Sequence, residues 1–120
     1  MIETASVLRM NQQQATQLMA YLTAYRSYLW QAILPTPERN QLIRSIQALQ
    51  GRLEPWLVRG QEQVAIALKK DERSTLKQVL GELMKLYGAA ATPDRLNAAL
   101  SEVAGLHLLV ERAFRHTQAL

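Results

Sequence analysis

His107 and His116 are the two histidines of the chain, and imidazole is both a neutral-pH proton carrier and a common metal ligand. At about 100° per residue they project to roughly opposite sides of one helix, so they cannot hold one ion from a single face. His107 lies in the middle of an apolar stripe. One reading makes it an axial haem ligand inside a bundle, with Met10 or Met19 supplied by the first helix. The plainer reading is a neutral core histidine whose ring meets a carbonyl or the hydroxyl of Tyr25 or Tyr87. A single His with scattered Met favours the plainer one. His116, beside Arg112 and Arg115, reads as a cation at a helix C-terminus.

Two further clusters could bind rather than react. Tyr21, Tyr25 and Tyr28 fall within about 60° of helix arc near Arg26, as a base-stacking platform would need. An ordinary core seam flanked by amphipathic tyrosines has the same pattern, and that reading is preferred. Arg44, Arg52, Arg59 and Lys70 share one side of the second helix if it runs unbroken. Such a basic face could track phosphates, although most charged faces of this kind are simply solvated.

Signatures of catalysis are missing. The five glycines form neither a G-x-G nor a phosphate-binding loop. There is no G-x-S-x-G, no Glu-x-x-His and no His-Glu-x-x-His. With no cysteine, disulfides, thiol catalysis and thiolate metal sites are excluded. The expectation is a protein without catalytic activity, cofactor, metal or small-molecule substrate.

Composition bounds the class. The chain has 120 residues, 48% apolar and 20% charged, which suits one globular domain spanning 1–120. Fourteen basic residues, mostly Arg, against ten acidic ones give a net charge of +4, a weak tilt toward acidic partners. Neither a secretory leader nor a membrane-spanning apolar run is visible, so a cytoplasmic location is expected.

Placing these residues requires helices. Apolar positions recur in threes and fours from Ala15 through Leu18, Leu22, Tyr25 and Leu29. The spacing predicts an all-α, antiparallel four-helix bundle with helices over about 5–34, 37–70, 74–88 and 93–117. Thr36-Pro37-Glu38 is a helix start, with a capping hydroxyl, a proline at the first position and an acid in the first turn. The second helix is expected to bend between Gly51 and Gly60, where Pro55 removes a hydrogen bond, with a break at Arg59-Gly60 as the alternative. Lys69–Thr75 lacks apolar side chains and is expected to contain a turn. Thr92-Pro93-Asp94-Arg95 repeats the Thr36–Arg39 pattern; reuse of a good cap explains this better than a duplicated hairpin, because the helices that follow do not align well.

Leu108 and Leu109 fall off the main stripe of the fourth helix, which suits a protein partner or a homodimer contact there. The functional expectation is a small helical interaction module working through protein–protein contacts. A nucleic-acid-associated protein using Arg44, Arg52, Arg59 and Lys70 is the alternative, and a haem or apolar-ligand bundle the third.

Overall fold

The computed structural model describes residues 6–89 and 96–118, with side chains over 7–88 and 98–113. The element order is β1 (Ser6–Asn11), α1 (Gln12–Ala32), α2 (Pro37–Arg59), β2 (Gln63–Leu68), α3 (Lys70–Ala89) and α4 (Leu96–Gln118). The protein is mostly helical, as expected. The two strands are a correction: 6–11 and 63–68 lie inside segments whose spacing predicts helix. β1 pairs with β2 in a two-stranded sheet. The Gln12 N–H donates to the Glu62 carbonyl at 3.1 Å, which sets the end of β1 beside the start of β2, an antiparallel pairing.

Local chemistry explains each boundary. The Asn11 side chain accepts the Gln14 N–H at 2.8 Å while the Gln14 side chain accepts the Asn11 N–H at 3.0 Å. This capping box starts α1, so the polar run Asn11–Gln14 begins a helix instead of lying within one. Thr36 accepts the Arg39 N–H at 3.1 Å, with Pro37 at the first position and Glu38 in the first turn of α2, as the sequence predicts. Pro55 lies inside α2 and offers no N–H to the Gly51 carbonyl. The helix continues for one more turn and stops at Gly60, whose φ of 64° is left-handed. The break at Arg59-Gly60 therefore replaces a helix running on to residue 70.

In β2, Val64, Ile66 and Leu68 are buried while Ala67 is exposed, a period of two. The turn expected within Lys69–Thr75 is also corrected. The Lys69 N–H donates to Glu72 at 2.8 Å and the Arg73 N–H to the Lys69 carbonyl at 3.0 Å, so α3 starts there with Arg73 buried.

Contacts divide the chain into two compact units, Met10–Ile66 and the remainder. In the first, Leu18, Leu22, Tyr25 and Leu29 of α1 are buried, as are Ile43, Ile46, Leu49 and Leu53 of α2. In the second the buried set is Leu76, Val79, Leu80 and Leu83 of α3 with Val103, Leu106 and Val110 of α4. Each such leucine is worth about 1.5–3 kcal/mol of transfer free energy. Leu42 and Trp56 of α2 are only half-buried, and Ile43, next to Leu42, is the buried residue.

The order β-α-α occurs twice, and the buried positions repeat with it. Leu8, Met10, Leu18, Leu22 and Tyr25 correspond at one constant spacing to Ile66, Leu68, Leu76, Leu80 and Leu83. Ile46, Leu49 and Leu53 correspond at a spacing one residue shorter to Val103, Leu106 and Val110. The capping contact of Asn11 with Gln14 recurs as Lys69 with Glu72. The likeness thus lies in β-α-α units of buried pattern; the second Thr-Pro start, Thr92–Arg95, lies outside the described residues.

Gly51 gives a stability prediction. It is helical and exposed, and a Cβ built there meets nothing within 4 Å. Gly51→Ala should raise stability by about 0.5–1 kcal/mol, because glycine loses more backbone freedom on folding. A rise in the midpoint of thermal denaturation checks it; an unchanged or lower midpoint counts against it.

Candidate functional site: the cleft and tip of the first helical hairpin

Within the Met10–Ile66 unit, the turn between α1 and α2 carries large apolar side chains that are not covered. Trp30 is 67% exposed and Leu34 80% exposed, with Ile33 between them in sequence partly open. Arg39 fastens this tip. Its guanidinium lies 4.9 Å from the Trp30 ring centroid, and Nη1 donates to the Ile33 carbonyl at 3.0 Å. Nε and Nη2 both donate to the Asn40 side-chain oxygen, at 3.2 and 3.0 Å. A cation over an indole adds about 0.5–1 kcal/mol at an exposed site. The contact favours this position of the indole, and most of its surface faces solvent.

From the tip, a cleft follows the seam between α1 and α2. One part, of about 320 Å³, is lined by Arg26, Trp30, Ile43 and Gln47 among others. The adjoining part, of about 520 Å³, is lined by Met19, Arg26, Gln50, Gly51, Glu54 and Leu57, with Gln47 again at its wall. Arg26 and Gln47 belong to both. Arg26 is fixed from below: its Nη1 donates to the Gln50 side-chain oxygen at 2.7 Å. Gln50 is buried, and its Nε2 donates to the Thr23 hydroxyl at 2.8 Å. That hydroxyl donates in turn to the Met19 carbonyl at 3.0 Å. Every step has a defined donor and acceptor, so the chain of bonds sets the orientation of the Gln50 amide. Arg26, Arg39 and Arg44 bond only neutral acceptors among the described residues. Beyond Glu54 on the same row of α2 comes Val58, 79% exposed.

The residues singled out by sequence are distributed differently. Arg44, Arg52 and Arg59 are on α2, with Arg44 and Arg59 exposed and Arg52 half-buried. Lys70 opens α3, which follows β2 in the chain, so the four do not share one helix face. Tyr25 is a core residue with its ring centroid 5.8 Å from that of Tyr28, which leaves no three-tyrosine platform. His107 is half-buried, its Nδ1 3.8 Å from Glu111 Oε1, instead of central in an apolar interior. Leu108 is exposed and Leu109 half-buried on α4. The side chains of Arg115 and His116 lie outside the described residues. Among the described residues no helix is long and apolar enough to cross a membrane, and no three His, Asp or Glu side chains are grouped as a metal site would require.

Tyr87, half-buried on α3, has its pKa raised above 10.0 by desolvation. The neutral phenol is favoured in the folded state, so its contribution is complete below the unfolded tyrosine value and is lost as pH rises through the folded one. Denaturation measured above about pH 10 should therefore show the wild type losing more stability than Tyr87→Phe. Parallel losses in the two proteins would contradict the shift.

Sequence reasoning singled out neither Arg26 with Gln50 nor the Trp30–Leu34 tip as a site. The available signal was Trp30, Ile33 and Leu34 closing a helix just before Pro35-Thr36-Pro37, where a turn must emerge into solvent. No family model, curated protein or solved structure matches the chain.

Proposed function

We propose that the protein is an interaction module without catalytic activity of its own, and that the α1–α2 hairpin is the surface that holds a protein partner. The observation carrying this reading is the pairing of large exposure with an arginine contact at the tip: Trp30 and Leu34 lie open while Arg39 packs over the indole and bonds the turn. Contacts of this kind lose little side-chain entropy on binding, and Trp with Arg dominate binding hot spots. The arginine-rich rim suits an acidic partner. Closure of the four helices into one antiparallel bundle, and a cytoplasmic setting, belong to the same proposal.

The test is site-specific photocrosslinking in the cells that make the protein, with a benzophenone amino acid at position 30. The expected result is a discrete heavier species formed with one other protein. It should vanish when Leu34→Asp is added and be absent when the probe sits at Lys85, an exposed position on α3. Equal yields from positions 30 and 85, or no adduct at all, would overturn the reading.

A further inference from the structure

We propose that the α1–α2 cleft is a receptor for one amphipathic helix of a partner protein, recognised by a carboxylate that docks on Arg26. This rests on the reading of the hairpin as a protein-binding surface and assigns the chemistry of what it binds.

The dimensions fit a helix. From Met19 to Trp30 the cleft follows α1 for about 16 Å at 1.5 Å per residue, or about three turns. A groove between two packed helices is also the place where a third lays its side-chain ridge. Apolar walls are available along it from Met19, Leu57, Ile43 and Trp30. Gly51, which carries no side chain, leaves the cleft wall open at its middle.

The charges select the occupant. Arg26 spends one N–H on Gln50, and guanidinium has five to offer. Gln50 and Thr23 hold it at the junction of the two parts of the cleft, so a carboxylate arriving there meets an oriented donor set. Glu54 lies one turn beyond Gln50 in the same cleft, and no ion pair joins it to Arg26 among the described residues. A docked helix that carries an acid opposite Arg26 and a base about one turn away is matched in one direction and mismatched in the other. The pair thereby reads polarity. A nucleic-acid backbone fits less well, because Glu54 in the cleft repels phosphate.

The probe is a displayed library of 18-residue helices with a fixed Leu/Ala stripe and flanking positions randomised over Glu, Lys, Gln and Leu, selected on the full chain. The expected winners carry Glu at one flank with Lys about a turn away. Their affinity should fall roughly tenfold or more on Gly51→Leu, which adds a bulky side chain to the cleft wall at a position where a Cβ meets no neighbour, and Arg26→Glu should reverse the preference toward Lys. Gly51→Ala keeps the cleft open and serves as the folded control. Winners without an acid, winners indifferent to Gly51→Leu and Arg26→Glu, or winners displaced by duplex DNA would overturn the proposal. If such winners are nevertheless lost on Trp30→Ala, the hairpin still binds protein and only the carboxylate receptor falls. If no helix is enriched, the helix receptor falls, and the crosslink at position 30 decides the hairpin reading by itself.

Discussion

Leu22→Ala should lower the stability of the chain by about 2–5 kcal/mol. Leu22 is wholly buried in the Met10–Ile66 unit, and truncation there removes transfer free energy and leaves a cavity that the stiff surroundings close only in part. Since a domain of this size is held by about 5–15 kcal/mol in all, such a loss brings the variant near its unfolding threshold. Leu80→Ala, at the corresponding position of the second unit and equally buried, should cost a similar amount. Urea denaturation with an unchanged slope and a lower midpoint is the expected readout. A loss under about 1 kcal/mol at either position would mean that the side chain is not enclosed as described.

Val64→Asp should be at least as damaging, on the order of 3–5 kcal/mol, because it places an uncompensated charge in the interior. Val64 is buried in β2 while Ala67, three residues on, faces solvent. Ala67→Asp should therefore cost well under 1 kcal/mol, the usual effect of a surface substitution. The contrast separates strand from helix. On a helix, positions three apart share a face and would suffer together; on a strand they point to opposite faces. Circular dichroism and denaturation of the two variants check this, and equal damage would restore the continuous helix.

How the sequence can mislead is clearest at β2. Gly60, Val64 and then either Ala67 or Leu68 fit the steps of three and four that mark a helix seam. Val64, Ile66 and Leu68 fit the period of two equally well. A six-residue segment cannot decide between the periods, and alanine at the outward position adds helical character to the composition. The same ambiguity hid β1, where Leu8 and Met10 point inward just before a polar run that reads as the interior of a weak helix. Long segments carried no such ambiguity. The α1 seam Ala15, Leu18, Leu22, Tyr25 and Leu29 is legible in full, and so is the Thr36-Pro37 start of α2.

The candidate site was legible only in its parts. Arg26 and Gln50 are far apart in sequence and meet because α1 and α2 fold back on each other, a tertiary fact that no local spacing encodes. Lys70 left the basic face for the opposite reason, since its place there depended on a helix that ends at Arg59. Exposure of Trp30 also escapes periodicity, because an aromatic on the flank of a seam is normally half-covered.

The most direct test of the hairpin as the working surface is an amide chemical-shift map of the isotope-labelled full chain titrated with a selected acidic helix. Shifts should concentrate on Met19, Arg26, Trp30, Gln50, Gly51 and Leu57 and leave α4 unchanged. Shifts centred on Leu108 and Leu109, or along Arg44, Arg52 and Arg59, would place the working surface elsewhere and contradict the account.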